Sequence, residues 1–568
     1  MVAIMSCIGC ALVYAIIQRA YPRPLPGIPY NHQAAGRVMG DLAELGERQK
    51  SGEEQAARHR SAITQIFLGP FAKPAVLISD YREANDILSH QDAVDFKRGK
   101  KVDVFSGILP HAHPAMETFD PRFRGSRDLV RDLMTPSFLN TVIRAHKVNA
   151  PHTYDVACNL IELWRVKARI ARGRPFEVFN DIVEFSFDSI LSAATGLGPE
   201  GGDVQRQLTH LQSLEVGLAD AFDGAALDQL IMLPALSRST KLAALGVDEE
   251  SLWKGFYMPW PRLYHRINQL RPTVRSAGRT LRGFINSQIT SAVPKLMAGG
   301  GPQCALDYVI QREIKAAERA GREHAYDDPR IRDEIYGYLI AGHDTSAGSL
   351  TWLMRRLLAH PEEQTKIRAD LRASYGAAWQ QKRLPTADEL TKHAPYLDAF
   401  IEEVLRFNCP VVTIMVTTRQ DTVVLGHPIP GDTQVFLNLT GPSLNMPSVS
   451  VDEEVRSLTS QKHRPSRENW DDLDPDVFRP ERWIVEEAGG RIRFDPSRGP
   501  TLAFSAGNRG CWGKRLGYLE LRIVLTLLIW SFELEVPEQL VSWETYDSLV
   551  TAPKRCILRV VEIDSEKE

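Results

Sequence analysis

"FSAGNRGCWG", Phe504 to Gly513, surrounds one cysteine with three glycines and an arginine and sets an aromatic residue seven positions before it. The stretch that follows, "KRLGYLELRIVLTLLIW", carries apolar residues at 516, 519, 523 and 527, the spacing of one helix face. Cys511 therefore stands just ahead of a helix N-terminus. Unpaired N–H groups and the positive end of the helix dipole stabilise a thiolate there. Gly507, Gly510 and Gly513 permit a tight turn that brings backbone close to a flat ligand. Arg509 can reach an anionic group such as a carboxylate.

Three uses of one such thiolate compete. A nucleophile wants a histidine base, and the sequence assigns none. A zinc ligand wants partners at suitable spacing, and none flank Cys511. An axial ligand to haem iron needs this one sulfur, because the porphyrin supplies four nitrogens. The third use fits best.

The bulk numbers narrow the class. With 568 residues, 43% hydrophobic and 24% charged, the chain has the composition of a globular protein with a large core. A formal charge of -3 offers no basic footprint, so no nucleic-acid partner is expected. Seven scattered cysteines do not form a secreted disulfide framework. The first 18 residues, "MVAIMSCIGCALVYAIIQ", hold no charged side chain, and Arg19 and Arg23 follow. That pattern predicts a transmembrane signal-anchor helix over 1–18 with the rest of the chain on the cytosolic side. No positive region precedes the run and no small-residue site closes it, which argues against a cleaved signal.

Prolines at 22, 24, 26 and 29 make residues 19–31 a semi-rigid hinge. From 32 to 563 no linker or repeat divides the chain, and helical patterns dominate. The expectation is one domain, mainly α with small β-sheets, with a frayed tail over 564–568. Strand-like pieces lie near residues 70 and 430. The polar segment 441–472 reads as an exposed insertion. In "SLWKGFYMPWPRLY", Ser251 to Tyr264, a membrane or gating contact is conceivable, but packed core is the simpler expectation for the aromatics.

A long helix is predicted from Asp328, as N-cap, to Ala359, where His360-Pro361 stops it. Its middle, "AGHDTSAG" (Ala341 to Gly348), places an acid and an alcohol, Asp344 and Thr345, in an apolar stretch. A threonine bonding back to a carbonyl one turn earlier would open a groove beside Gly342. Buried there, the pair could relay protons to a ligand. In "LDAFIEEVLRFNCP", Glu403 and Arg406 share a helix face. A solvated surface pair is the simpler reading; a buried one would need further partners, such as Arg482.

The pattern Phe504-x-x-Gly507-x-Arg509-x-Cys511-x-Gly513 resembles the haem-binding signature of cytochrome P-450 monooxygenases. "AGHDT" resembles the oxygen-activating turn of that family's central helix. Glu403-x-x-Arg406 resembles its characteristic helix pair, and "FRPERW" (Phe478 to Trp483) its next motif, with Arg482 completing a triad. The apolar start and proline hinge resemble those of microsomal members. Two departures stand out: Arg127 occupies the place of a usual tryptophan four residues before Arg131, and Val416 stands where many members carry a basic residue.

The resemblance implies the cytochrome P-450 fold, a long central helix over haem b, with Cys511 as the iron's axial thiolate. It assigns Arg509 and Arg131 to the propionates, Phe504 to packing beside the sulfur, and Gly507 and Gly513 to the loop's close approach. Thr345 and Asp344 would handle dioxygen and its protons. The implied reaction inserts one oxygen atom into a lipophilic small molecule, by hydroxylation or epoxidation, in specialised metabolism. No G-x-G-x-x-G lies between a strand and a helix, so electrons from NADPH would arrive through a separate flavoprotein reductase, with cytochrome b5 as an optional second donor. The implied location is the endoplasmic reticulum membrane, with a single span. Two other readings stay open: a relative that rearranges or dehydrates its substrate without dioxygen, and a haem-binding sensor or carrier.

Overall fold

The structure, a computed structural model, describes residues 14–43 apart from 16, 48–143 apart from 93, 153–222, 226–462 and 474–563. Most of the anchor expected over 1–18, and the tail 564–568, lie outside the described residues. Among the described residues no helix is long and apolar enough to cross a membrane.

The helices that position the site are α1 (Tyr81–Asp86), α2 (Phe179–Thr195), α3 (Thr240–Tyr257), α4 (Pro261–Asn268), α5 (Pro272–Met297), α6 (Pro329–Ala359), α7 (Pro395–Phe407) and α8 (Lys514–Ser531). The 31-residue helix α6 runs through the interior, about 45 Å long. Asp328 caps it by accepting from the Arg330 N–H, and Pro329 fills the first turn, where its missing N–H costs nothing. Along α6, Leu339, Ala347, Leu350, Leu353 and Leu357 are buried, so the helix sits inside the core rather than against one side of it. Its closest neighbour is α2: a Cβ on Gly342 would stand 2.4 Å from Ile190. Gly342 thus lets two helices approach. α6 continues as α-helix through this turn, with Ala341 exposed beside Gly342.

A five-stranded sheet flanks the helical body in the order β1-β2-β5-β4-β3, with β1 (Ile63–Ile66), β2 (Ala75–Ile78), β3 (Phe96–Lys97), β4 (Thr413–Thr418) and β5 (Gln434–Asn438). β2 and β5 run parallel, with Val76 opposite Val435, and the other pairs are antiparallel. The two strand-like pieces near residues 70 and 430 therefore meet in one sheet. All of β1 and β2 is buried, as expected where both faces are covered. A hairpin, β6 (Thr545–Asp547) with β7 (Thr551–Pro553), lies against α6, where Trp352 Nε1 donates to the Thr551 carbonyl at 3.0 Å.

Three expectations are refined. The proline segment, expected as a semi-rigid hinge, is docked on the folded body. Gln65 donates to the carbonyls of Leu25 and Ile28 and accepts from the Leu25 N–H, and Ile28 is buried. The aromatic stretch 251–264 is split: Leu252 is buried and Phe256 packs against the helical core, while Trp260 is 69% exposed and Leu263 beside it is exposed too. The insertion begins later than residue 441, because Gly441 to Asn445 are buried and the Asn445 amide donates to the Phe407 carbonyl. Beyond them the segment is held down at Arg456, which makes two bonds to Asp80, at 2.8 and 3.0 Å. Ser457 and Thr459 both donate to Asp86 of α1. Residues 463–473 lie outside the described residues.

Candidate active site around Cys511

The loop ahead of α8 is folded back on itself. The Cys511 N–H donates to the Phe504 carbonyl at 2.8 Å, and the Phe504 ring packs on Tyr518 of α8 with centroids 4.8 Å apart. Gly507 makes this turn possible. Its φ is +67°, and a Cβ would stand 2.2 Å from the Leu88 carbonyl oxygen. Gly513 has an ordinary φ of -80°, so no strain fixes it as glycine; a Cβ there would come within 4.0 Å of the Cys511 sulfur alone. Its smallness keeps the space beside the sulfur open.

Cys511 is reachable by solvent, although much protein surrounds it. Burial pushes its thiol up, while the N–H groups of Gly513 and Lys514 and the charges of Lys101 and Lys514 pull it down. Burial wins, so a thiolate here wants one more positive partner. Among the described residues no group of three His, Cys, Asp or Glu side chains could hold a metal ion. An iron that arrives with a porphyrin needs only this one sulfur.

The surrounding cations agree with that demand. Arg509 stacks over Phe123 at 4.3 Å and donates to the Met116 carbonyl at 3.1 Å, leaving buried Nη1 without an acceptor. Arg98 is buried with Nε and Nη2 lacking acceptors, and Asp92 approaches it at 3.5 Å. Burial pushes the Lys101 amine down to about 7, and the charges of Arg98 and Arg509 add to the effect. Burial, followed by the Arg98 charge, likewise lowers Arg509 to about 10. A site with so many desolvated cations and unused N–H groups is short of negative charge. Two propionates would supply it.

Arg131 does not join this group. It is 62% exposed and 3.4 Å from Asp128, on a 3-10 turn that buries Leu133 and Met134 instead. Arg127 does turn inward: it lies 4.8 Å over the Trp512 ring and donates to the Asn508 carbonyl. The side chains that the sequence reading missed are Arg98 and Lys101. Their only signal was the run "FKRGKKVDVF" (Phe96 to Phe105), whose charges read equally well as a solvated face.

On α6, Ala341 is exposed and Gly342, Asp344 and Thr345 are half-buried, between the buried Ile340 and Ser346. Thr345 Oγ1 donates to the Ala341 carbonyl at 2.7 Å, the expected back-bond. Asp344 Oδ2 accepts from Ser548 of the β6–β7 hairpin at 3.2 Å. Burial, then the charge of Glu249, pushes the Asp344 carboxyl up to about 6. A carboxyl with that pKa can both carry and release a proton near neutrality. One residue beyond Thr345, Ser346 donates to Glu520 of α8 at 2.7 Å, tying this turn to the helix that follows Cys511.

The Glu403–Arg406 pair is fully buried and fully partnered, not solvated. Arg406 grips Glu403 with two bonds of 2.9 and 2.8 Å, Arg482 adds one of 2.9 Å, and Trp483 Nε1 donates at 2.8 Å. Arg406 also donates to the carbonyls of Leu444 and Pro475. The cluster staples α7 to the segment that leads into the Cys511 loop.

A family profile described as Cytochrome P450 matches residues 32–446 and 464–560. The chain is 33% identical over 557 residues to the cytochrome P450 monooxygenase xilC of Penicillium rubens, covering 95% of this chain and 93% of that one. It is 30% identical to the cytochrome P450 monooxygenase GME11363 of Pestalotiopsis microspora, over 99% and 98% of the two chains. With the cytochrome P450 monooxygenase TRI13 of Fusarium sporotrichioides it shares 29% identity over 98% of each. A crystal structure of the cytochrome P450DA heme domain superposes with a TM-score of 0.67 at 18% identity, covering 96% of this chain and 99% of that one.

Proposed function

The chain belongs to the cytochrome P450 family, and from that premise we propose that it is a haem-thiolate monooxygenase of specialised metabolism acting on a lipophilic small molecule. The observation that carries this reading is the Cys511 loop: one accessible thiol, no companion ligands among the described residues and a group of desolvated cations. When bound there, haem supplies dioxygen activation and oxygen insertion, hydroxylation or epoxidation. The chain's own residues do the rest. Cys511 would hold the iron through its sulfur, and Arg98, Lys101 and Arg509 would hold the propionates. Asp344 would hold a proton beside Ser548 and pass it toward Thr345, whose hydroxyl is bonded to the Ala341 carbonyl.

Electrons from NADPH arrive through a separate flavoprotein reductase, with cytochrome b5 as an optional second donor. What supports this is that the one G-x-G-x-x-G run, Gly196 to Gly201, follows helix α2 rather than a strand and so lacks the setting of a dinucleotide fingerprint. We place the enzyme on the endoplasmic reticulum membrane, its catalytic domain toward the cytosol, on the strength of the uncharged first 18 residues and the arginines after them. A lipophilic substrate suits that location. A relative that rearranges its substrate without dioxygen would have no use for the acid–alcohol pair, and Asp344 and Thr345 favour the oxygenase.

Reconstitution with an NADPH-dependent reductase and a lipophilic library tests the proposal. A substrate is expected to drive NADPH consumption and to gain one oxygen atom. In Thr345→Ala, product per NADPH should fall on the order of tenfold with hydrogen peroxide appearing instead, less than a full proton-transfer loss because water can replace the hydroxyl. Unchanged product yield in that variant would refute the role of Thr345.

A further inference from the structure

Two polar bonds cross from α3 to α6 in the buried interior. Tyr336 donates its hydroxyl to Asp248, and seven residues further along α6 the His343 Nδ1 meets Glu249 Oε1 at 3.1 Å. Seven residues are about two helical turns, so both bonds leave the same face of α6. His343 is buried, its ring packs edge-on against Phe187 of α2, and its Nε2 has no hydrogen-bond partner among the described residues. A buried ion pair adds little to stability once desolvation is counted, and its best-attested use is to fix one arrangement. The residue next to His343 is Asp344.

We propose that Glu249 and His343 are positioning residues for Asp344: their bond clamps α3 onto the Ala341–Thr345 turn and holds the Asp344 carboxyl against Ser548. This rests on the reading of Asp344 and Thr345 as the proton-handling pair. The groups facing Asp344 are Glu249 on α3, Arg238 just before it, Tyr546 and Ser548 on the hairpin, and His343 on α6 itself. Glu520 of α8 also faces His343. Burial opposes a charge on His343, but Glu249 overcomes it and the imidazole is raised. Glu249 reinforces burial in raising Asp344, and His343 works against both.

The clamp has a signature that simple loosening of the fold lacks. His343→Gln leaves the Glu249 charge uncompensated beside Asp344, so the carboxyl should rise further. Glu249→Gln removes the raising charge, so the carboxyl should not rise. A proton donor is loaded below its pKa, so product per NADPH falls as pH increases through the titration of Asp344. The experiment measures that ratio against pH in the reductase-coupled holoenzyme, alongside hydrogen–deuterium exchange over residues 240–257. Both variants are expected to lower the ratio and to speed exchange in α3. His343→Gln should move the fall to higher pH by on the order of one unit, and Glu249→Gln should leave it in place or move it lower. Should either variant fail to take up haem, Glu249→Asp serves in its place: it keeps the charge but shortens the reach, so it should lower the ratio without moving the profile. Equal shifts in the two variants, or unchanged coupling and exchange, would overturn the proposal. If Thr345→Ala also leaves coupling intact, the proton-handling reading itself fails; if only the clamp variants are silent, the clamp alone fails.

Discussion

Lys101 and Arg131 are both candidate cations for the Cys511 site, but they face different surroundings. Lys101 is enclosed with Arg98 and Arg509 and feels the Cys511 sulfur, whereas Arg131 points to solvent beside Asp128. Lys101→Ala should therefore speed haem transfer to an acceptor globin, by about tenfold for one charge-assisted bond of roughly 1.5 kcal/mol. Arg131→Ala should leave the transfer rate within about twofold, since an exposed ion pair contributes little. The reverse ranking would show that the wrong cations have been assigned. The tight turn at Gly507 that carries Arg509 and Cys511 was legible in the sequence because the loop is local: ten consecutive residues contain all three. Lys101, Arg98 and Glu249 were not, because each reaches the site from a distant stretch of chain, and spacing carries no record of such contacts.

At the scale of elements, α6 and α7 do different work. The start of α6 at Asp328-Pro329 and its end at His360-Pro361 follow from capping chemistry and could be read in advance. The burial of α7 could not, because a charged pair three residues apart looks the same on a wet or a dry face. The structure decides it: Glu403 is 0% exposed and holds two arginines, a tryptophan N–H and the Arg479 backbone N–H. Glu403→Gln leaves Arg406 and Arg482 buried without their counter-ion, a change that costs about 3–5 kcal/mol. Denaturant unfolding followed by fluorescence should show a lower midpoint of that size. A loss below about 1 kcal/mol would mean that the carbonyls of Leu444, Pro475 and Val477 already satisfy the arginines. The α4 region shows the opposite error of expectation. Its aromatics and prolines suggested core, yet Trp260, Leu263 and Ile267 lie at the surface, because Pro261 starts a short helix that keeps only Pro261, His265 and Asn268 inside.

For the whole molecule, the large helical core and the smaller core over the five-stranded sheet enclose the Cys511 loop between them, and Ala503 packs against both. The proline segment is fastened to this body through Gln65, so a membrane span before it would hold the domain in a fixed attitude rather than on a loose tether. Deleting residues 1–18 should shift the protein from the membrane pellet toward the carbonate-soluble fraction; unchanged partition would refute the anchor. The central claim concerns the bond at Cys511, and the spectrum of the reduced, carbon monoxide-treated holoprotein tests it most directly. The red-shifted Soret band of thiolate ligation is expected in the native chain and its loss in Cys511→Ser. A native chain that shows only the band of a haem with a nitrogen ligand, or a Cys511→Ser variant that keeps the red-shifted band, would contradict it.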